Sequence, residues 1–157
     1  MKIAARVFGG LSLLIACIGS AAAADPIVNI PTIYLQNKAD VQKQLGKPSK
    51  CEKIKYGDKC YYKSGNVSVV FINGAADWIS VDNISIPYNE NSLLSLGLAA
   101  SKATFANEHI IRWDDTFHEA AAPNASGETE MLMILSLSLF PGKPGEASSV
   151  YVKVATK

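Results

Sequence analysis

Cys51 and Cys60 stand nine positions apart in this 157-residue chain, on either side of a stretch that reads as a β-hairpin. Lys50 to Tyr56 alternates, with Ile54 and Tyr56 on one face and Cys51, Lys53 and Lys55 on the other. Gly57-Asp58 then reads as a turn into Lys59 to Lys63. A tight turn there would set Cys60 against Lys55 and Cys51 against Ser64. A disulfide needs its two Cα atoms within about 4.4–6.8 Å of each other. The bridge therefore calls for a wider loop or bulge around Lys55 to Lys59 that brings the cysteines opposite one another. We expect the covalent constraint to override the turn propensity.

That bond presupposes an oxidising compartment, and the N-terminus implies one. Lys2 and Arg6 precede the apolar run Val7 to Ile18, and the small residues Ser20 to Ala24 follow before Asp25. This order reads as a secretory signal over residues 1–24, cut after Ala24. The run is too short for the roughly 20 residues a membrane-spanning helix needs, and the rest of the chain offers no such span. A second processing route stays open. Leu14-Ile15-Ala16-Cys17 has the small residue before cysteine that a bacterial lipoprotein signal uses, which would make Cys17 a lipid-bearing N-terminus anchored to the outer membrane. With cleavage after Ala24 only Cys51 and Cys60 remain, and they pair most simply with each other. No histidine lies near them to complete a metal site, and their spacing is not the Cys-x-x-Cys of redox catalysts.

Residues 25–157 suit one domain, or half-repeats 35–86 and 87–157 sharing a core. Removing Lys2 and Arg6 leaves 13 bases against 14 acids. The near-neutral total hides an asymmetry. Residues 36–64 hold eight lysines against Asp40, Glu52 and Asp58, whereas residues 65–135 hold Lys102 and Arg112 against nine acids. Opposite solvated faces explain this; so does a basic segment that meets an anionic envelope surface. Nothing in the pattern suits nucleic acid.

Asn37 can cap a short helix with Asp40 in its first turn, Val41 and Leu45 on one edge, and Gly46 and Pro48 ending it. Gly65-Asn66 and Asn73-Gly74 are hairpin turns flanking Val67 to Ile72, with Trp78 to Ile86 beyond. In the second half Asn89 or Asn91 caps a helix ending at Gly97. His109 to Trp113, Met131 to Phe140 and Ser149 to Ala155 read as strands, and Asp114 to Glu130 as a mobile loop. The fold class expected is α+β: short helices packed on an antiparallel sheet, in one unit or two tandem helix-plus-meander repeats. A faint echo between Val41–Lys50 and Leu93–Lys102 supports the tandem form.

Val41, Leu45-Gly46-Lys47-Pro48, Tyr61-Tyr62 and Val69-Val70-Phe71-Ile72-Asn73-Gly74 resemble the helix, Leu-Gly-x-Pro and hairpin pattern of SmpA/OmlA-type envelope lipoproteins. The same pattern resembles one repeat of the β-lactamase-inhibitor-protein-like fold. The match spans roughly residues 35–81, and Leu35-Gln36-Asn37 replaces the glycine-containing turn that usually starts the family's helix. Two tandem copies would imply a sheet that binds another protein. Fold alone does not confer function.

Catalytic signals are sparse. His109 and His118 lie near Asp114, Asp115 and Glu119 but lack HExxH spacing, and there is no Gly-x-Ser-x-Gly elbow or phosphate-binding glycine loop. No enzyme activity, metal or cofactor is expected. Arg112-Trp113, with Phe105 and Phe117, offers an aromatic and cationic patch; equally, Trp113 belongs to the core with Arg112 solvated beside it. Tyr61 and Tyr62 must point to opposite faces, and the exposed one amid Lys53, Lys59 and Lys63 is a contact candidate. Asn66, Asn83 and Asn124 lie in Asn-x-Ser sequons that matter only in a eukaryotic host. The function expected is an exported, non-catalytic binding module of the bacterial envelope, recognising a protein or an anionic envelope component. The alternative is a secreted inhibitor of a hydrolase. The sequence leaves the oligomeric state open.

Overall fold

The structure, a computed structural model, describes residues 25–120 and 127–154, so the expected signal, Cys17 and Asn124 lie outside it. The helix α1 spans Lys38–Leu45, and its ends are set locally. Asn37 Oδ1 accepts from the backbone N–H groups of Ala39 and Asp40 at 2.9 and 3.1 Å, satisfying two of the donors a helix start leaves open. Gly46 adopts φ 85° at the far end, a conformation that carries almost no cost for glycine.

Eight strands follow: β1 (Lys50–Ile54), β2 (Gly57–Tyr62), β3 (Val67–Ile72), β4 (Ala75–Pro87), β5 (Phe105–Ala106), β6 (Ile111–Glu119), β7 (Met131–Pro141) and β8 (Glu146–Val154). They form one antiparallel sheet in the order β1-β2-β3-β4-β8-β7-β6-β5. Each half therefore runs from a helical turn into four strands, and the two last strands meet at the centre of the sheet.

The α+β expectation is overturned. The described residues are β-rich, carried by a single sheet, with only one short α-helix and brief 3-10 turns among them. The segment expected to form a second helix is a seven-residue 3-10 helix, Glu90–Leu96, capped by Asn89 and closed by Gly97 at φ 76°. Pro87 ends β4 immediately before it, leaving little length for regular α-helix. Meanwhile β4 and β7 run to 13 and 11 residues, longer than the turn signals suggested.

The disulfide links Cys51 to Cys60 with Cα atoms 4.1 Å apart, and the two residues are register partners. The wide loop expected around Lys55 to Lys59 is absent. Ile54 pairs with Gly57, so the turn is the two residues Lys55-Tyr56, two positions earlier than the sequence suggested. Ladder pairs alternate between hydrogen-bonded and close ones. Counting three pairs from Ile54–Gly57 puts the cysteines on a close pair, which suits a direct bridge. Gly57 has a different task from turning the chain. A Cβ there would sit 2.0 Å from the Phe71 carbonyl oxygen, so glycine is what lets β2 approach β3.

One face of the sheet is covered. Val41 and Leu45 of α1, Ile30 and Ile33 of the N-terminal turn, and Leu93, Leu96 and Leu98 of the second half pack on it in one core. A register row shows the sheet's contribution: Cys60, Val69, Ile79, Val152, Leu137 and Trp113, every one fully buried. Residues 114–119, expected to begin a loop, extend β6 instead. At Asp115, with φ 48°, the strand exchanges faces, so Thr116 and His118 continue the side that Ile111 and Trp113 began. β7 changes in step, from Leu139 and Leu137 to Ile134 and Leu132.

Candidate functional site

Among the described residues no helix packs on the opposite face. Its side chains follow from the alternation that fills the core. Register aligns Lys50, Tyr61, Ser68, Ser80, Tyr151, Ser138, Arg112 and Phe105 in one row, and Glu52, Lys59, Val70, Trp78, Lys153, Ser136 and Asp114 in the next.

Aromatic rings are spread across these rows, and those of Tyr61, Trp78 and Phe105 each lie near a cation. Tyr56 and Trp78 lie 5.2 Å apart between centroids, and Trp78 meets Tyr151 edge-on at 6.2 Å. Lys59 Nζ stands 5.1 Å from the Tyr61 ring centroid, Lys153 Nζ 6.0 Å from Trp78, and the Arg112 guanidinium 5.8 Å from Phe105.

The charges on this face are mostly matched in place. Lys50 bonds Glu52, Arg112 bonds Asp114, and Lys153 bonds Asp77. Lys50 holds the Glu52 carboxyl below the usual range, with help from the Tyr61 hydroxyl that donates to it at 2.8 Å. Asp77 is the unusual member. It is the extra residue at an irregularity where Val70 pairs with Trp78 but Phe71 pairs with Ala76. Its carboxylate is fully buried, and Oδ1 has no hydrogen-bond partner among the described residues. Burial and this carboxylate together push the Tyr151 hydroxyl above its ordinary pKa.

The structure brings together only part of the set picked out from sequence. Tyr61, Lys59 and Arg112 share the open face. Trp113 does not: it is fully buried on the other face, its indole N–H donating to the Ser101 carbonyl at 3.1 Å, so the Arg112-Trp113 patch does not form. Adjacent strand residues must point to opposite sides. Lys53 lies on the side of Cys51, beside Asp58 in register. Lys63 sits in the turn before β3 and donates to the Ile27 carbonyl at 3.2 Å. Phe117 is 68% exposed further along β6, opposite Met133. Tyr62 is buried on the core side, opposite the half-buried Tyr61. Sequence reasoning missed Trp78, Tyr151 and Lys153. The signal lay in their strands, where Trp78, Ser80 and Asp82 alternate with Ile79 and Val81, and Tyr151 and Lys153 with Val150 and Val152.

The histidines lie in different settings. His109 is exposed with Nε2 3.3 Å from Glu108. His118 is buried between the hydroxyls of Thr116 at 3.0 Å and Ser101 at 3.4 Å, and desolvation lowers its pKa. Among the described residues no three His, Cys, Asp or Glu side chains gather as metal ligands, and no helix is long and apolar enough to cross a membrane.

Compared with known proteins, the chain matches no protein-family model, no curated protein and no solved structure. The likeness of Leu45-Gly46-Lys47-Pro48 and its neighbours to envelope lipoproteins thus rests on those residues alone.

Proposed function

We propose that this chain is an exported, non-catalytic binding module of the bacterial envelope whose open sheet face is the contact surface. One observation carries the reading: the face opposite the core is left uncovered by the described residues and lined with Tyr61, Trp78, Tyr151 and Arg112, residue types that anchor interfaces. The signal-like order of residues 1–24 supports the exported setting. Lys50, Arg112 and Lys153 are each already matched by an acid, which favours a neutral polar partner surface over a polyanion. The basic surplus lies elsewhere, on Lys47, Lys53, Lys55 and Lys63 around α1 and the first hairpin.

Affinity capture from envelope extract tests the reading. Wild-type protein should retain a component that a folded Lys59→Glu, Tyr61→Ala, Arg112→Glu variant loses. Equal recovery by both proteins would remove the open face from the account.

A further inference from the structure

Three serines stand near the middle of the open face: Ser68 on β3, Ser80 on β4 and Ser149 on β8. Short side chains there, among long ones, leave a depression of about 230 Å³ lined by Lys59, Ser68, Ser80, Asp82, Tyr151 and Phe140. Ser68 is only 6% exposed and lines the floor of this depression. Asp82 stands exposed at the rim, across from Ser149 in register, and its side chain makes no ion pair among the described residues. Phe140, 40% exposed, and Tyr151 supply aromatic surface on the same side.

These groups discriminate between ligand classes. A polyanion would meet Asp82 and find Lys59 as its one lining cation. An apolar group would strand the serine hydroxyls without bonds. A pyranose ring answers both needs. Its hydroxyls donate and accept as serine hydroxyls do, a carboxylate accepts from neighbouring ring hydroxyls, and its C–H face lies on an aromatic ring. The volume falls below the roughly 300–1,000 Å³ of drug-sized pockets, so it suits a single ring.

We propose that this depression binds one saccharide unit of a glycan chain, its ring against Tyr151 and Phe140 and its hydroxyls on Ser68, Ser80, Ser149 and Asp82. The proposal rests on the open face being the contact surface and names the chemistry that surface takes.

The test is a titration of the isotope-labelled exported protein with cellotriose, maltotriose, chitotriose and soluble glycan fragments of digested cell wall, following backbone amide shifts. At least one saccharide should give saturable shifts at Ser68, Ser80, Ser149 and Tyr151. Asp82→Asn and Ser68→Val, each retaining the wild-type spectrum elsewhere, should each weaken it roughly 3- to 10-fold. If no saccharide moves these amides while an envelope protein does, the saccharide proposal fails and the contact surface stands. If neither moves them, both fail. Shifts confined to other regions overturn the site.

Discussion

Two neighbouring rows cross the sheet and differ by a single residue in each strand. Cys60, Val69, Ile79, Val152, Leu137 and Trp113 vanish under α1 and the 3-10 turns; Lys59, Val70, Trp78, Lys153, Ser136 and Asp114 face outward. The two-residue period of a strand makes both rows at once, so the core and the candidate site are complementary halves of one pattern. The covered row is apolar and interchangeable in chemistry. The open row mixes aromatic rings, paired charges and hydroxyls, a composition that packing alone does not require.

The comparison breaks most readily at Trp113. Trp113→Ala should cost about 3–5 kcal/mol in denaturant unfolding, because it empties a filled core and strands the Ser101 carbonyl. A loss below about 1 kcal/mol would mean the covered face is not the main core.

The open row has one expensive member. Lys153→Met leaves the buried Asp77 carboxylate without its cation, and we expect a loss of about 2–3 kcal/mol, reduced because Lys153 remains 21% exposed. Adding Asp77→Asn to that variant should recover most of it. No recovery would show that the lysine acts through packing rather than charge.

Replacing Cys51 and Cys60 by serine should lower stability by roughly 2–3 kcal/mol, the loop-closure value for so short a ring. The thermal unfolding midpoint reads this directly. Oxidised and reduced wild-type protein should differ by the same amount.

His118 sharpens the comparison through pH. Burial favours its neutral form, so the unfolded chain binds more protons than the folded one as pH falls below the ordinary imidazole value of 6.5. Stability should therefore decline through that range, and His118→Gln should flatten the decline. An unchanged slope would assign the loss to carboxylates such as Glu52 and Asp58, which lysine partners hold below the usual range and which lose their contribution at lower pH.

The smallest stability effects belong to the open face. Tyr61→Ala and Arg112→Ala should each lie within about 0.5 kcal/mol of wild type. Their effect belongs in partner capture instead.

What was legible in the sequence was what is local or covalent. Asn37, Gly46 and Pro48 mark the ends of α1 without reference to the rest of the chain, and the cysteine pair fixes its own register. The first turn was misplaced because Gly57-Asp58 has turn chemistry, while the glycine answers to Phe71 in a different strand. The length of β6 was missed because Asp114-Asp115-Thr116 is polar and Asp115 breaks the period by changing faces. Tyr61, Lys59 and Arg112 were visible as aromatic and cationic contact candidates. Their alignment with Trp78, Tyr151 and the serines depends on β4 pairing with β8, a contact between residues about seventy positions apart that no local pattern encodes.

The most direct test is hydroxyl-radical footprinting of the protein alone and with the component it captures from envelope extract. The account predicts protection of Tyr61, Trp78, Tyr151 and Phe140, with Ile27 and Leu94, exposed outside the sheet, reacting as before. Protection of Ile27 or Leu94 with Tyr61 and Tyr151 unchanged would contradict it and move the contact away from the open face.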